Sequence, residues 1–158
     1  MISKKTGALI KASCELGAIL SEKKNYLLPL GKYGMDIGIA FQIQDDILNL
    51  VGQEEKYKKE IGGDITEGKR TLMLPYAINS LNKNEGKELK SLLLKKSSKK
   101  EDISRAIELF KDSGSIDYAQ EQAFNLVNRS KKELNNLPDS EYKEALVELA
   151  DFVVKRSH

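Results

Sequence analysis

The chain has 158 residues, of which 40% are hydrophobic and 32% charged, a balance ordinary for a helical protein. Its length predicts one domain over residues 1–158. The net charge of +2 is too small to indicate a nucleic-acid partner, and the apolar runs are too short for a transmembrane segment. The single cysteine, Cys14, excludes a disulfide framework, and no secretion signal is recognisable, so we expect a cytoplasmic protein.

Helix signals dominate the sequence and strand alternation is absent, which predicts an all-α fold. In chain order, the predicted helices cover residues 3–20, 27–51, 71–81, 88–95, 98–112, 115–137 and 141–155. Asn82 to Gly86 is predicted to separate two of them, and a capping box is predicted from Ser98 to Glu101. Gly114 is expected to end a helix, and Asp139 or Ser140 to cap the last one.

One helix-length stretch, residues 38–53, is apolar except for a single polar stripe. At 100° per residue, the polar and small positions fall within an arc of roughly 100°. They are Gly38, Gln42, Asp45, Asp46, Asn49 and Gln53. A surface helix would be polar over a wider arc, so the pattern predicts a buried helix that lines a polar cavity. Because buried carboxylates need a cation or several hydrogen bonds to stay ionised, a metal site is indicated.

The next stretch, residues 59–75, combines three glycines with Asp64 and the cations Lys59, Lys69 and Arg70. Carboxylates hold Mg²⁺, Mg²⁺ holds phosphate oxygens, and lysines neutralise the remaining charge, so this composition suits a polyanion bridged by metal. The alternatives are that the lysines are solvated and that Asp64 is a helix cap or a lysine's ion-pair partner. The lysine excess over residues 83–100 can equally be a solvated face.

Three ordered motifs make the chain resemble the C-terminal half of a trans-prenyltransferase of the polyprenyl diphosphate synthase family. The family's second aspartate-rich motif, FQxxDDxxD, reads FQIQDDILN over residues 41–49, so Asn49 replaces its last aspartate. The family's lysine–threonine signature is matched by Lys5 and Thr6. Its downstream pattern is matched, with Lys58 where a glycine is usual, by Lys59, Gly63, Asp64, Lys69 and Thr71. The match is closest to archaeal geranylgeranyl-type enzymes; it is firm over residues 1–82, and the C-terminal helices, 83–158, match only in helical character.

The resemblance implies a helical bundle that is part of an isoprenoid-synthase fold. It implies Mg²⁺-dependent transfer of an allylic prenyl group from its diphosphate onto isopentenyl diphosphate. The implied catalytic residues are Lys5, Thr6, Gln42 and Asp45. The implied metal ligands are Asp45, Asp46, Asn49 and Asp64. The implied diphosphate ligands are Lys5, Gln42, Lys59 and Lys69. Phe41 is implied in the prenyl pocket.

The chain lacks the family's first aspartate-rich motif and the basic residues that hold isopentenyl diphosphate. We therefore expect the isolated chain to be inactive, and to form a homo-oligomer or a heteromer with a chain that supplies the N-terminal half. The alternative is a non-catalytic, truncated relative that acts as an interaction or regulatory subunit. Product chain length is not readable, because the family sets it beside the missing motif.

Overall fold

The computed structural model describes residues 3–52 and 61–156. These residues form eight α-helices, and no β-strand occurs among them, so the predicted all-α fold is confirmed. The helices are α1 Ala8–Leu20, α2 Leu27–Val51, α3 Gly63–Thr66, α4 Met73–Ser80, α5 Lys83–Lys95, α6 Lys100–Asp112, α7 Ser115–Leu134 and α8 Glu141–Lys155. A π-helical turn, Ser3–Gly7, precedes α1, and a 3₁₀ turn, Lys24–Tyr26, precedes α2. None of the described helices is long and apolar enough to cross a bilayer.

Two predictions about helix starts are wrong, and both concern capping. In addition, α7 ends at Leu134 rather than at residue 137, and the short helix α3 was not predicted. Asn82 does not begin a break but caps α5: its side chain accepts hydrogen bonds from the N–H groups of Asn84 and Glu85, and the Glu85 carboxylate accepts from Asn82 N–H. This reciprocal pair satisfies donors that a helix start leaves open. The capping box predicted at Ser98 does not form, because α6 begins after Lys99, which makes no side-chain cap.

The other two predicted helix signals are confirmed. Ser140 caps α8, since its hydroxyl accepts a hydrogen bond from Lys143 N–H at 3.2 Å. Gly114 lies between α6 and α7 with a φ of +70°, a left-handed conformation that favours glycine. Local interactions therefore define the turns on both sides of α7: the left-handed conformation of Gly114 before it and the Ser140 cap after it.

The described residues group into two compact units. The first comprises residues 3–44 and 122–156, and the second comprises residues 45–52 and 61–121. Both α2 and α7 contribute residues to each unit. The single domain expected from chain length, with its motif-bearing part ending at residue 82, stays a prediction.

In the first unit, small residues bring α1 and α2 into close contact. A Cβ atom built on Gly38 would lie 2.7 Å from Gly7 Cα, and one on Gly34 would lie 2.9 Å from Ile10 O. These positions therefore have no space for a larger side chain. In the first half of α2, the hydroxyl of fully buried Tyr33 donates a 2.7 Å hydrogen bond to Leu146 O, which ties α8 to α2.

In the second unit, the end of α2 packs with α3 to α6 around an apolar core. Its fully or nearly fully buried side chains include Ile65, Met73, Leu89, Leu109 and Phe110. Gly62 turns the chain into α3 with a φ of +82°, and a Cβ there would lie 2.3 Å from Ile103 Cγ2. Only glycine satisfies both the backbone angle and the contact. This turn places Asp64 beside the end of α2.

Candidate functional site

Lys69 bridges two aspartates in the second unit. Its Nζ atom lies 2.7 Å from Asp46 Oδ1 and 3.0 Å from Asp64 Oδ2. The Asp46 side chain is only 2% exposed, against 15% for Asp64 and 28% for Lys69. Such a buried carboxylate needs a nearby cation, and Lys69 provides one. Two predicted metal ligands and one predicted diphosphate ligand are thus in direct contact.

Asn49 connects α2 to the turn that carries Asp64. Its side-chain Oδ1 accepts a 2.8 Å hydrogen bond from Asp64 N–H, and its carbonyl oxygen accepts a 2.7 Å bond from Gly62 N–H. Asn49 is itself buried. An amide can make the first bond without adding charge, so Asn49, at the position of the motif's last aspartate, holds the Asp64 backbone next to α2.

Asp45 belongs to the same charge cluster. Burial raises the pKa of Asp64; hydrogen bonding and charge from Lys69 oppose that rise, and the charges of Asp46 and Asp45 add to it. Burial works to lower the pKa of Lys69, but its hydrogen bonds to Asp46 and Asp64 and the charges of these carboxylates together outweigh this, so its pKa lies well above the ordinary value. Among the described residues, the cluster thus brings three carboxylates close to one ammonium group.

The donor set suits a magnesium ion that is shared with a ligand. Among the described residues, no three acidic, histidine or cysteine side chains are arranged to hold a metal ion by themselves. Mg²⁺ in proteins, however, is commonly bound by one or two carboxylates together with waters and phosphate oxygens. Lys69 occupies Oδ2 of Asp64, and no described residue hydrogen-bonds to Oδ1. Asp45 and Asp64 therefore fit as a two-carboxylate contribution.

Two predicted site residues are in contact in the first unit. Thr6, in the π-helical turn before α1, donates a 3.0 Å hydrogen bond through Oγ1 to Gln42 Oε1 on α2. This bond occupies the amide oxygen and fixes the side-chain orientation of Gln42. The predictions for Lys59 lie outside the described residues, and so does the side chain of Lys5.

Phe41 contacts a residue for which sequence reasoning found no role at the site. The Arg156 guanidinium lies 3.9 Å from the Phe41 ring centroid and donates a 3.0 Å hydrogen bond to Phe41 O. In return, Gln44 Nε2 donates to Arg156 O at 3.2 Å. In the sequence, Arg156 lies at the end of the last helix, where a cation is expected to interact favourably with the helix dipole. No local signal could have paired it with Phe41, because 115 positions separate them.

Comparison with solved structures defines the class of fold. A geranylgeranyl pyrophosphate synthetase from Pyrococcus horikoshii is similar over 99% of this chain and 47% of its own, with a TM-score of 0.88 and 38% identity. A polyprenyl synthase from Caulobacter crescentus, in complex with calcium and isoprenyl diphosphate, matches 99% of this chain and 48% of its own, with a TM-score of 0.92 and 34% identity. The fold is that of the isoprenyl diphosphate synthases.

Sequence comparison identifies the family. The polyprenyl synthetase family model matches residues 1–110. A short chain isoprenyl diphosphate synthase from Methanothermobacter thermautotrophicus is 40% identical over all of this chain and 48% of its own length. The chain belongs to the polyprenyl synthetase family, as its motifs indicated, and it spans about half the length of the relatives it matches.

Proposed function

We propose that this chain supplies the second aspartate-rich metal–diphosphate site of a prenyl diphosphate synthase. The reaction would transfer an allylic prenyl group from its diphosphate to isopentenyl diphosphate. The observation that carries the proposal is the cluster of Asp45, Asp46, Asp64 and Lys69, in which three carboxylates lie close to the Lys69 ammonium group. Carboxylates are the side chains that Mg²⁺ takes as ligands in proteins. A dication in such a cluster also attracts a diphosphate group, which is the leaving group of the proposed reaction.

Within this cluster, Asp45 and Asp64 would hold Mg²⁺. When bound, the ion would stabilise the negative charge that develops on the departing diphosphate. Asp46 and Asn49, although predicted as ligands, are assigned to positioning: Asp46 anchors Lys69, and Asn49 anchors the Asp64 backbone. Lys69 is proposed to act mainly as the ion-pair partner of Asp46 and Asp64, and its contact with diphosphate stays a prediction.

In the first unit, the proposed roles follow the family resemblance. Lys5 and Gln42 would bind diphosphate, and Phe41 would contact a prenyl chain. The hydrogen bond from Thr6 supports the Gln42 role, because it fixes the orientation of an amide whose nitrogen is a hydrogen-bond donor. For Lys59, the proposal rests on the motif alone.

The remaining half of the enzyme, with the first aspartate-rich motif and the isopentenyl diphosphate site, is proposed to come from a partner chain. Helix α1 offers a surface for such a partner, because it exposes four large apolar side chains, Leu9, Leu16, Ile19 and Leu20. Burying each would contribute about 1.5–3 kcal/mol. The proposed assembly is therefore a heteromer with a chain that supplies the N-terminal half. The alternative is a homo-oligomer, and light scattering on the isolated chain would distinguish the two.

The metal–diphosphate site can be tested by calorimetry with inorganic pyrophosphate. We expect weak binding that requires Mg²⁺, is lost in Asp45→Asn and is unchanged in Asp112→Asn, an exposed carboxylate at the end of α6. Equal binding with and without Mg²⁺, or equal binding by Asp45→Asn and the parent, would contradict the proposed site.

The catalytic proposal needs a second experiment. The isolated chain should give no prenyl transfer from an allylic diphosphate in the presence of Mg²⁺. Adding a chain that carries the first aspartate-rich half should restore transfer, and Asp45→Asn should abolish it again. Restored transfer that is indifferent to Asp45→Asn would favour the alternative, a non-catalytic subunit that merely stabilises its partner.

A further inference from the structure

An open cavity, called the groove below, lies in the second unit between α4, α5 and the segment that follows α3. Its volume is about 710 Å³, and its apolar lining includes Leu74, Ile78 and Leu93. Ligand-binding clefts in proteins commonly enclose roughly 300–1,000 Å³ and are mostly apolar with a few placed polar groups. The groove thus has the size and the lining of a small-molecule site. Asp46 and Asp64 do not line it.

The charged groups that line the groove are all cations: Arg70, Lys90 and Lys96. None of the three forms an ion pair with any residue in the described ranges. Lys95, the neighbour of Lys96 outside the groove, does pair, with Asp102 at 2.7 Å. The groove therefore combines an apolar floor with positive charge that the described part of the chain leaves uncompensated.

Lys96 is held at the groove in a backbone conformation that lysine rarely adopts. It follows the last residue of α5 with φ +49° and ψ +40°, the left-handed region where helices usually place glycine. Its side chain lies along Gly68, whose own φ is +66°; a Cβ on Gly68 would lie 3.0 Å from Lys96 Cε and 2.7 Å from Leu93 O. A glycine in place of Lys96 would relieve the backbone but remove the cation from the groove.

We propose that this groove binds a single-chain amphiphilic anion, of the class of long-chain phosphates and diphosphates. The aliphatic chain would lie on the leucine and isoleucine floor, and the anionic head would lie among Arg70, Lys90 and Lys96. Charge complementarity selects an anion, and the apolar lining selects a ligand with a hydrocarbon chain over a free phosphate. The proposal is independent of the metal–diphosphate site.

The test is calorimetric titration of the full chain with decyl phosphate below its critical micelle concentration, in the presence of EDTA. We expect saturable binding, with at least tenfold weaker binding of inorganic phosphate and of the neutral decyl maltoside. Lys90→Gln should weaken decyl phosphate binding about 5–10-fold, the loss of one charge-assisted hydrogen bond. Asp45→Asn should leave it unchanged; loss of binding in that variant would place the ligand at the aspartate cluster and overturn the proposal.

Lys96→Gly separates a binding role from a structural one. Because it relieves the left-handed backbone, it should raise the thermal unfolding midpoint by about 2–4 °C, while weakening decyl phosphate binding as Lys90→Gln does. The matched control is Glu22→Gly, which relieves a φ of +58° in the first unit and should stabilise the chain without affecting binding. Unchanged affinity in Lys96→Gly, or binding to anionic vesicles without binding of monomeric decyl phosphate, would overturn the proposal.

Discussion

Removing the Lys69 ammonium is expected to be among the most destabilising single changes in the second unit. Lys69→Met keeps the length of the side chain but deletes two hydrogen bonds, of 2.7 and 3.0 Å, and leaves Asp46, 2% exposed, without its lysine counter-ion. Truncating one partner of a buried ion pair typically costs 3–5 kcal/mol. The Lys69 side chain is 28% exposed, so water can partly replace it and we take the lower end, about 3 kcal/mol.

The assay is urea unfolding of four proteins: the parent, Lys69→Met, Asp46→Asn and the double variant. The double variant removes the buried charge together with its counter-ion, so it should be more stable than Lys69→Met by at least about 1 kcal/mol. Lys87→Met, at an exposed lysine on α5 without an ion pair among the described residues, is the control and should shift stability by less than about 0.5 kcal/mol. A double variant whose loss equals the sum of the two single losses would refute the coupling.

Three further results are expected. Gly38→Ala should destabilise the fold by about 1–3 kcal/mol, because its Cβ has no space against α1, whereas Gly17→Ala, with no atom within 4 Å, should stabilise it by about 0.5–1 kcal/mol; chemical denaturation distinguishes the two signs. Tyr33→Phe removes the 2.7 Å hydrogen bond from a fully buried side chain to Leu146 O and should cost about 1–2 kcal/mol; full stability in this variant would contradict the hydrogen bond. Burial raises the pKa of Asp64, so the stabilisation linked to its protonated form is complete below the unfolded-state pKa and is lost as the pH rises through the folded-state value. The free energy of unfolding of the parent relative to Asp64→Asn should therefore fall as the pH rises above about 4, which urea unfolding at a series of pH values would measure.

The sequence by itself determined the longer helices and the identity of the motif residues, but not the short helix α3. The bounds of α2 are those that its apolar pattern predicts, and its polar stripe holds Asp46 and Asn49, which the structure places at the charge cluster. Helical periodicity and caps are local properties, so a single sequence contains them. The two errors, at Asn82 and Ser98, also arose locally, where several polar residues compete to cap one helix start.

Tertiary structure alone decided what each charged group contacts. Asp45 and Asp46 are neighbours with the same side chain, yet Asp46 is buried against Lys69, 23 positions away, while Asp45 is only partly buried. The packing of α3 against the end of α2 decides which carboxylate pairs with Lys69. That packing depends on the turn at Gly62 and on the hydrogen bond from Asp64 N–H to Asn49, 15 positions away. Burial and charge pairing are properties of three-dimensional proximity, and no periodicity in the sequence specifies the distance between groups that the fold brings together.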